Sequence, residues 1–100
     1  MHTLFAEEKI GGTLNNTDLI VKDLVNEEGH NYGERYYVLN RNDYPVKVSI
    51  KLTDGQNVDD YLVPYTIVVK EFQRIEIGEI YQTDIKKESS WNYEWQVEPD

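Results

Sequence analysis

The clearest pattern along the chain is the strict alternation of apolar and polar residues over positions 45–52. The stretch reads PVKVSIKL, with a branched apolar residue at every second position and Lys or Ser between them. Because successive side chains of a strand point to opposite faces, the stretch predicts a β-strand with one buried and one solvated face. The residues of the predicted buried face are Val46, Val48, Ile50 and Leu52.

Shorter stretches of the same kind recur along the chain and are rich in the aromatic and β-branched residues that strands favour. The first is expected to end at Gly11-Gly12, because paired glycines interrupt strands. Another is divided by Pro64, which predicts an edge strand or a bulge, since proline has no backbone N–H for the ladder. These predicted strands are residues 3–10, 34–40, 61–63, 65–70, 71–81 and 91–98.

Residues 18–25, DLIVKDLV, fit two periodicities. As a helix, Asp18 would cap the N-terminus and Ile20 would stack on Leu24 at the i, i+4 spacing. As a strand, alternate residues would share one face. The segment is short and has turn residues on both sides, so its length favours the strand.

Polar segments between these stretches predict the connections. Residues 15–18 have turn chemistry, since Asn and Asp side chains hydrogen-bond to nearby backbone. Residues 53–60, TDGQNVDD, are interpreted as a polar loop. Asn42-Asp43 predicts a turn, so the strands at residues 34–40 and 45–52 are expected to form a hairpin.

Several short strands with turn signals between them, and no long helical pattern, predict an all-β fold. The expected architecture is an antiparallel β-sandwich of about seven or eight strands, and 100 residues fit a single acidic domain spanning residues 1–100. The order of a strand, an Asn-rich turn, a Pro-led strand, a long loop and a Pro-broken strand resembles immunoglobulin-like bacterial sandwiches over about half of the chain. The resemblance implies an immunoglobulin-like sandwich, although the Cys…Trp…Cys spacing of true immunoglobulin domains is absent.

The charge of the chain narrows its possible partners. The formal net charge is −9, and the acidic excess lies in residues 1–33 and 71–100. Direct binding to nucleic acid or to a membrane is disfavoured because both need a positive field, and a basic protein partner is favoured instead. The absence of cysteine and of a signal-peptide pattern at the N-terminus favours a cytoplasmic location.

The residue types that perform catalysis or bind metals follow no recognised spacing. His2 and His30 lie far apart and match neither a metal site nor a catalytic triad, so we expect no enzyme activity, no cofactor and no metal. Residues 54–60 contain several oxygen-bearing side chains that would suit calcium. Their spacing differs from that of an EF-hand, and their composition is that of a polar turn.

Tyrosine is concentrated in residues 31–44, where the charges of two arginines are balanced by Glu34 and Asp43. Interface cores favour Tyr and Arg over dense negative charge, so the segment predicts a surface for a protein partner. The sequence therefore favours a non-catalytic protein–protein interaction domain that docks through a tyrosine-bearing strand edge or loop. The predicted partner-binding residues are Tyr32, Arg35, Tyr37, Arg41 and Tyr44.

Two other functions stay open at this point. A small acidic inhibitor of the phage type would mimic nucleic-acid charge and block a basic surface of a host nuclease or defence protein. This hypothesis requires the two acidic ends of the chain to converge on one face, and it places the affinity in carboxylates such as Glu76, Glu79, Glu94 and Glu98. The third hypothesis is a calcium- or carbohydrate-binding module, in which aromatic side chains on a sheet face would stack on sugars.

Overall fold

A computed structural model describes residues 8–63 and 66–100 of the chain. Within these ranges the elements are all strands: β1 (Glu8–Leu14), β2 (Thr17–Val25), β3 (Asn31–Asn40), β4 (Val46–Gln56), β5 (Val58–Asp60), β6 (Ile67–Val69), β7 (Arg74–Gln82) and β8 (Ser90–Pro99). The strands pair antiparallel in two sheets, one in the order β1-β2-β3-β7-β5 and one in the order β6-β4-β8. The prediction of an all-β fold with antiparallel sheets is confirmed.

Strand β4 lies at the centre of the three-stranded sheet, and its two faces are the predicted ones. Val46, Val48 and Ile50 are buried, whereas Lys51 is exposed. Alternate residues of β8, from Trp91 to Val97, pack against the same core. Side chains from both sheets meet there, and the buried members of the core are Leu19, Val21, Tyr36, Val38, Val46, Val48, Ile50, Val69, Ile77 and Ile80.

Residues 18–25 belong to β2, so the strand interpretation is confirmed and the helical one is wrong. β2 pairs with β1 on one edge and with β3 on the other. Leu19 and Val21 share the face that enters the core. A strand with two neighbours satisfies its backbone groups in the sheet, and this outweighs the helical spacing of its side chains.

The predicted hairpin between residues 34–40 and 45–52 is wrong. β3 pairs with β2 on one edge and with β7 on the other, so it has no free edge for β4. The chain instead crosses from the five-stranded to the three-stranded sheet at residues 41–45. Both strands have an apolar face, and placing them in opposite sheets buries the two faces in one core.

Gly11 and Gly12 lie inside β1 and do not end it, contrary to the prediction. β1 continues to Leu14, with a bulge at Gly11 in its pairing with β2. Gly12 makes room for β8 of the opposite sheet, and Gly11 makes room both for Val21 of β2, 2.9 Å from a Cβ at that position, and for β8. A Cβ at Gly11 would lie 3.3 Å from the Tyr93 hydroxyl, and one at Gly12 would lie 3.3 Å from the Trp95 ring. The part of the predicted strand before Glu8 lies outside the described residues.

Residues 53–60 are not a loop, contrary to the prediction. β4 extends to Gln56 and β5 begins at Val58, so the chain changes sheets at Asn57. Asn57 has a φ of +57°, a conformation that Asn tolerates better than most residues. Its side chain accepts a hydrogen bond from the Asp84 N–H at 2.9 Å and donates one to the Asp84 carbonyl at 2.8 Å. The polar residues at 53–60 therefore form the exposed end of β4 and the short strand β5, which Asn57 connects.

The stretch after Pro64 contains an edge strand, as predicted, because β6 lies at the edge of the three-stranded sheet. The predicted strand at residues 61–63 is wrong, since these residues lie outside the strands. Pro64 and Tyr65 themselves lie outside the described residues. The next predicted strand, residues 71–81, begins later than expected, since residues 71–72 form a turn and β7 begins at Arg74.

A bulge in β7 changes which of its residues face the core. The register with β3 shifts between Tyr36 and Tyr37, next to Gly78, whose φ is +129°. Ile77 and Ile80, three positions apart, are both fully buried as a result. Strict alternation along residues 71–81 would place them on opposite faces.

Candidate functional site

Three turns meet at one end of the molecule. They are the β1–β2 turn at residues 15–16, the β3–β4 crossing at residues 41–45 and the β6–β7 turn at residues 70–73. We call these three segments the turn end. They are far apart in sequence. Hydrogen bonds join the first two turns directly, and Asn40 of β3 joins the third to them.

The β1–β2 turn is a two-residue hairpin connection. Asn15 and Asn16 have φ values of +47° and +53°, and Leu14 pairs with Thr17 across the turn. Two consecutive residues with positive φ are typical of a type I′ turn, which favours Asn. The Asn16 carbonyl accepts a hydrogen bond from the Arg41 N–H at 3.1 Å, and the Asn16 side chain donates one to the Arg41 carbonyl at 3.0 Å. The turn is therefore fixed to the β3–β4 crossing.

Asn40, the last residue of β3, is fully buried and connects the other two turns. Its side-chain amide donates to the carbonyls of Tyr44, Val69 and Lys70 at 2.8, 3.1 and 3.1 Å. Its backbone N–H donates to the Gln73 carbonyl at 3.0 Å. The β3–β4 crossing and the β6–β7 turn are thus held in place by one residue.

Asn42 extends this network to the β1–β2 turn. Its N–H and its side-chain amide both donate to Asn40 Oδ1 at 2.9 Å, and the amide also donates to the Asn15 carbonyl at 2.8 Å. Across residues 8–63 and 66–100, no buried polar side-chain atom lacks a hydrogen-bond partner. A fully satisfied buried network makes the turns rigid. The buried polar residues of the described chain all lie at this end, and they are Thr17, Asp18, Asn40 and Asn42.

Asp18 and Arg41 form a bidentate ion pair at the same end. Arg41 Nε lies 2.9 Å from Asp18 Oδ2, and a terminal guanidinium nitrogen lies 3.2 Å from Oδ1. The Thr13 hydroxyl donates to Oδ1 at 2.8 Å. The hydrogen bonds from Arg41, and to a smaller extent the one from Thr13, lower the pKa of Asp18 below its ordinary value. The ionised carboxylate therefore stabilises the turn end.

We expect the stability of the fold to depend on the ionisation of Asp18. Because its folded-state pKa is lowered, the carboxylate contributes fully above the ordinary Asp pKa of about 3.9, and this contribution is lost as the pH falls through the lower, folded-state pKa. The wild type should be more stable than Asp18→Asn at neutral pH, and the difference should shrink below about pH 4. Urea titrations of both proteins across this range measure the difference, and one that stays constant would contradict the assignment.

Phe72 is displayed at the tip of the β6–β7 turn, where it is 65% exposed and has a φ of +54°. The turn is closed around it, because the Gln73 N–H donates to the Lys70 carbonyl at 3.1 Å and the Lys70 N–H donates to the Gln73 side chain at 2.9 Å. A left-handed conformation costs a bulky residue about 1–2 kcal/mol, and an exposed aromatic ring forgoes the gain from burial. Strain and exposure at one position make Phe72 a candidate functional residue.

Two more exposed apolar side chains lie in or beside the turn end, since Leu14 is the last residue of β1 and directly precedes the β1–β2 turn. Tyr44 is 37% exposed, with its hydroxyl 3.4 Å from Asn15 Oδ1, and Leu14 is 41% exposed. Phe72 is not among the predicted binding residues, because the strand predicted for residues 71–81 gave it an ordinary place on a strand face. The turn itself reads Lys-Glu-Phe-Gln and contains no Gly, Asn or Pro that would have marked it.

The five predicted binding residues do not form one patch. Arg41 and Tyr44 lie at the turn end. Tyr32 lies near the start of β3, about 30 Å away along an extended strand. Arg35 and Tyr37 lie between these positions, on the face of the five-stranded sheet opposite to the core residue Tyr36.

Arg35 and Tyr37 are held by contacts within their own sheet. Arg35 forms ion pairs with Glu79 at 2.8 Å and with Glu76 at 3.5 Å. The Tyr37 hydroxyl and the Glu79 carboxylate raise the pKa of Arg35 above its ordinary value. The Arg74 guanidinium lies 4.6 Å from the centroid of the Tyr37 ring, within the range of a cation–π contact. Because Arg35 and Tyr37 already make these intramolecular contacts, they have fewer groups free to bind a partner.

Exposed Tyr61 and half-buried Tyr81 form an aromatic pair that is not among the predicted binding residues. Their rings stack with centroids 5.5 Å apart and planes 17° apart, and Tyr61 is 68% exposed. The hydrogen bond to Tyr61 and desolvation raise the pKa of Tyr81 to about 12. The pair lies beside β5, outside the turn end. The two tyrosines come together because β5 pairs with β7, and no local sequence pattern predicts that pairing.

The carboxylates of the inhibitor hypothesis do not converge on one face. Glu76 and Glu79 lie on β7 of the five-stranded sheet, where both pair with Arg35. Glu94 and Glu98 lie on β8 of the other sheet, and Glu94 is 3.7 Å from Lys51. A charge mimic built on these four residues would have its charge divided between two sheets and partly neutralised.

The candidate metal ligands are dispersed. Asp54 lies in β4, whereas Asp59 and Asp60 lie in β5. His30 Nε2 lies 3.0 Å from the side-chain oxygen of Gln82, and His2 lies outside the described residues. Residues 8–63 and 66–100 contain no group of three or more His, Cys, Asp or Glu placed to hold a metal ion.

Comparison with known proteins leaves the function to be argued from this geometry. No protein-family model, no curated protein and no solved structure matches the chain. In the part of the chain that the structure describes, no helix has the length and apolar character needed to cross a membrane.

Proposed function

We propose that this protein is a non-catalytic protein–protein interaction domain that docks its partner through the turn end. The observation that carries this proposal is Phe72, an exposed and strained aromatic residue on a turn that Asn40 fixes from the buried side. An aromatic side chain on a rigid support loses little entropy when it enters a pocket, and a few such anchors supply most of the energy of an interface. The left-handed backbone conformation of Phe72 does not itself stabilise the free protein.

Tyr44 and Arg41 give the proposed docking surface the composition of an interface core. Tyr and Arg are enriched in such cores, and both residues belong to the set that the sequence analysis selected. The Arg41 side chain is 46% exposed despite its ion pair with Asp18. The whole chain has a net charge of −9, and this acidic character would steer a basic partner towards the protein.

We also propose that the fold is immunoglobulin-like. Constant-type immunoglobulin domains place strands A, B, E and D side by side in one sheet and strand C next to F in the other. The order β2-β3-β7-β5 matches A-B-E-D, and β4 next to β8 matches C next to F. β1 and β6 are additions to this pattern, and the described residues contain no strand after β8. On this assignment the β3–β4 crossing corresponds to the B–C loop, which belongs to the binding end of antibody variable domains.

The acidic-inhibitor proposal has weaker support, namely the net charge of −9 alone. The two proposals differ in their dependence on salt. A charge mimic should lose affinity steeply as the salt concentration rises, because its contacts are exposed ion pairs. Docking through an aromatic anchor should change much less, because the contact is apolar.

The variant Phe72→Asn tests docking through the turn end, because Asn tolerates the left-handed conformation and has no aromatic ring. Wild-type protein used as bait should capture a specific protein from a lysate of the source cells, and Phe72→Asn should lose it. With the purified partner, we expect binding to weaken by at least about 2 kcal/mol, roughly 30-fold in Kd. The melting temperature should not fall, since Asn relieves the backbone strain.

Tyr61→Asn is the matched control, because Tyr61 is about as exposed as Phe72 and lies outside the turn end. This variant should retain the partner with wild-type affinity. Equal binding of the partner by wild type and Phe72→Asn would contradict the proposal. Loss of binding in Tyr61→Asn alone would move the interface to the Tyr61–Tyr81 pair.

A further inference from the structure

Strand β8 forms one edge of the three-stranded sheet along its whole length. Among the described residues only β4 pairs with it, so one side of its backbone faces away from the sheet. The other sheet edges have protections that are common in proteins, since β5 and β6 have three residues each and β1 contains a bulge. β8 has ten residues, and its stretch Ser90–Glu98 contains no Lys, Arg or Pro. It is therefore the edge that can best accept a further strand.

The backbone groups that face this open edge follow from the pairing of β8 with β4. The Asp100 N–H donates to the Pro45 carbonyl at 3.1 Å, directly beyond the last pair of the β4–β8 ladder. Hydrogen-bonded and non-hydrogen-bonded pairs alternate along an antiparallel ladder, so the even-numbered residues of β8 bond to β4 at positions 94–98. The N–H and carbonyl groups of the odd-numbered residues then face the open edge, and these residues are Tyr93, Trp95 and Val97.

The side chains of the same three residues pack towards the core but are incompletely covered. Tyr93, Trp95 and Val97 are half-buried. Ile50, which faces Trp95 across the β4–β8 ladder, is only 4% exposed because β4 has a neighbour on each side. A strand added beyond β8 would remove more of the apolar surface of β8 from water.

The charges beside the open edge are mostly paired within the protein. Lys51 Nζ lies 3.7 Å from Glu94, and Lys47 Nζ lies 3.9 Å from Asp100. A strongly basic segment would therefore find few carboxylates to pair with at this edge, although the whole chain has a net charge of −9. The edge is better matched by a strand whose own charges are as sparse as those of β8.

A second copy of β8 is such a strand when the two copies run antiparallel about a two-fold axis at Trp95. A two-fold contact brings the same surface of both copies together, so the surface must be complementary to itself. On the outer face, Glu94 then faces Gln96 of the second copy and Glu98 faces Asn92. Each carboxylate meets an amide that can donate a hydrogen bond to it. On the inner face Trp95 faces Trp95, and Tyr93 faces Val97, so aromatic and branched apolar residues pair.

Other positions of the axis fit less well. An axis at Glu94 would set the two copies of Glu94 opposite each other, and an axis at Gln96 would set Glu94 opposite Glu98. Like charges directly opposite destabilise a strand pair. An axis between two residues would set odd-numbered residues opposite even-numbered ones, whose N–H groups point in opposite directions. The axis at Trp95 avoids both faults.

We propose that the open edge of β8 pairs with β8 of a second copy of this chain, antiparallel and with the two-fold axis at Trp95. The pairing joins the two three-stranded sheets into one continuous sheet in the order β6-β4-β8-β8-β4-β6. It satisfies the outward N–H and carbonyl groups of both copies and covers their half-buried aromatic rings. This proposal does not depend on docking through Phe72.

Substitutions of Gln96 test the register, because Gln96 is exposed and faces Glu94 of the second copy. Sedimentation equilibrium between about 1 μM and about 1 mM protein, in about 0.15 M salt, should show dimerisation of the wild type. Gln96→Glu should raise the dimer Kd about three- to tenfold, because it sets a carboxylate opposite Glu94 in both halves of the contact. Gln96→Lys should lower the Kd by a similar factor, because it sets an ammonium group there instead.

Gln56→Glu and Gln56→Lys are the matched controls. Gln56 is an exposed glutamine at the end of β4, and the two variants change the net charge by the same amounts. Their dimer Kd should stay close to that of the wild type, because distant charges are screened at this salt concentration. A Kd that responds alike to the Gln96 and Gln56 variants would overturn the proposed contact, and so would a wild type that stays monomeric up to about 1 mM.

Hydrogen exchange of the backbone amides tests which groups pair. Above the dimer Kd, the N–H groups of Tyr93, Trp95 and Val97 should exchange slowly, and below it they should exchange fast. The N–H groups of Glu94 and Gln96, which bond to β4, should be protected at both concentrations. Slow exchange of the first three groups in the dilute monomer would show that the edge is already covered within one chain, and this would overturn the proposal.

Discussion

Replacing Ile50 with Asp is expected to unfold the protein. Ile50 is 4% exposed in the middle of β4, and its side chain packs in the core that both sheets share. The other buried members of that core are apolar residues and one tyrosine, so a carboxylate there would be buried without a cationic partner. The cost is several kcal/mol, comparable with the total free energy of unfolding of about 5–15 kcal/mol.

Lys51→Glu is the control for this substitution. Lys51 is the next residue in the chain, but it points to the outer face and is exposed. Its ion pair with Glu94 is solvated, so losing it should change stability only slightly. Circular dichroism and thermal melting of both variants measure the difference. A folded Ile50→Asp protein with the wild-type melting temperature would show that the buried face of β4 is wrongly assigned.

Alternation was predictable from the sequence in residues 45–52 and 91–98, whereas the bulge in β7 and the pairing of strands were not. Residues 45–52 and 91–98 have faces that depend only on strand geometry and on which side is buried. Whether β3 pairs with β4 depends on β2 and β7, which occupy both edges of β3. In the same way, the polarity of residues 53–60 cannot distinguish a loop from exposed strand ends, because the pairing partners come from β7 and β8.

The turn end was predictable only in part. The abundance of Tyr and Arg selected residues 31–44, and Arg41 and Tyr44 of that segment lie at the turn end; their role in binding stays a prediction. Phe72 could not be selected, because its left-handed conformation follows from joining β6 in one sheet to β7 in the other. Asn40 reads as an ordinary polar residue at the end of a strand, and its partners in the β6–β7 turn are remote in sequence.

Replacing Asn40 with Ala is expected to loosen the turn end and to destabilise the fold by about 3 kcal/mol. The substitution leaves the carbonyls of Tyr44, Val69 and Lys70 and the N–H of Asn42 without their present partners. The bonds to Val69 and from Asn42 are buried, and those to Tyr44 and Lys70 are partly buried. Each unsatisfied buried group costs about 1–3 kcal/mol, and water that enters the vacated space recovers part of this cost. Urea titration of the variant measures the change in the free energy of unfolding.

The same variant connects the buried network with the proposed function. In Asn40→Ala, the N–H groups of Asn42 and Gln73 should exchange with solvent faster than global unfolding alone would allow. If docking uses Phe72, the partner should bind the folded variant more weakly, because the β6–β7 turn must then be ordered on binding. Asn92→Ala, at an exposed asparagine on β8, should change neither property. If Asn40→Ala has the stability and the amide exchange rates of the wild type, the turns keep their geometry without this side chain. If the variant is destabilised but binds the partner with wild-type affinity, the interface lies elsewhere.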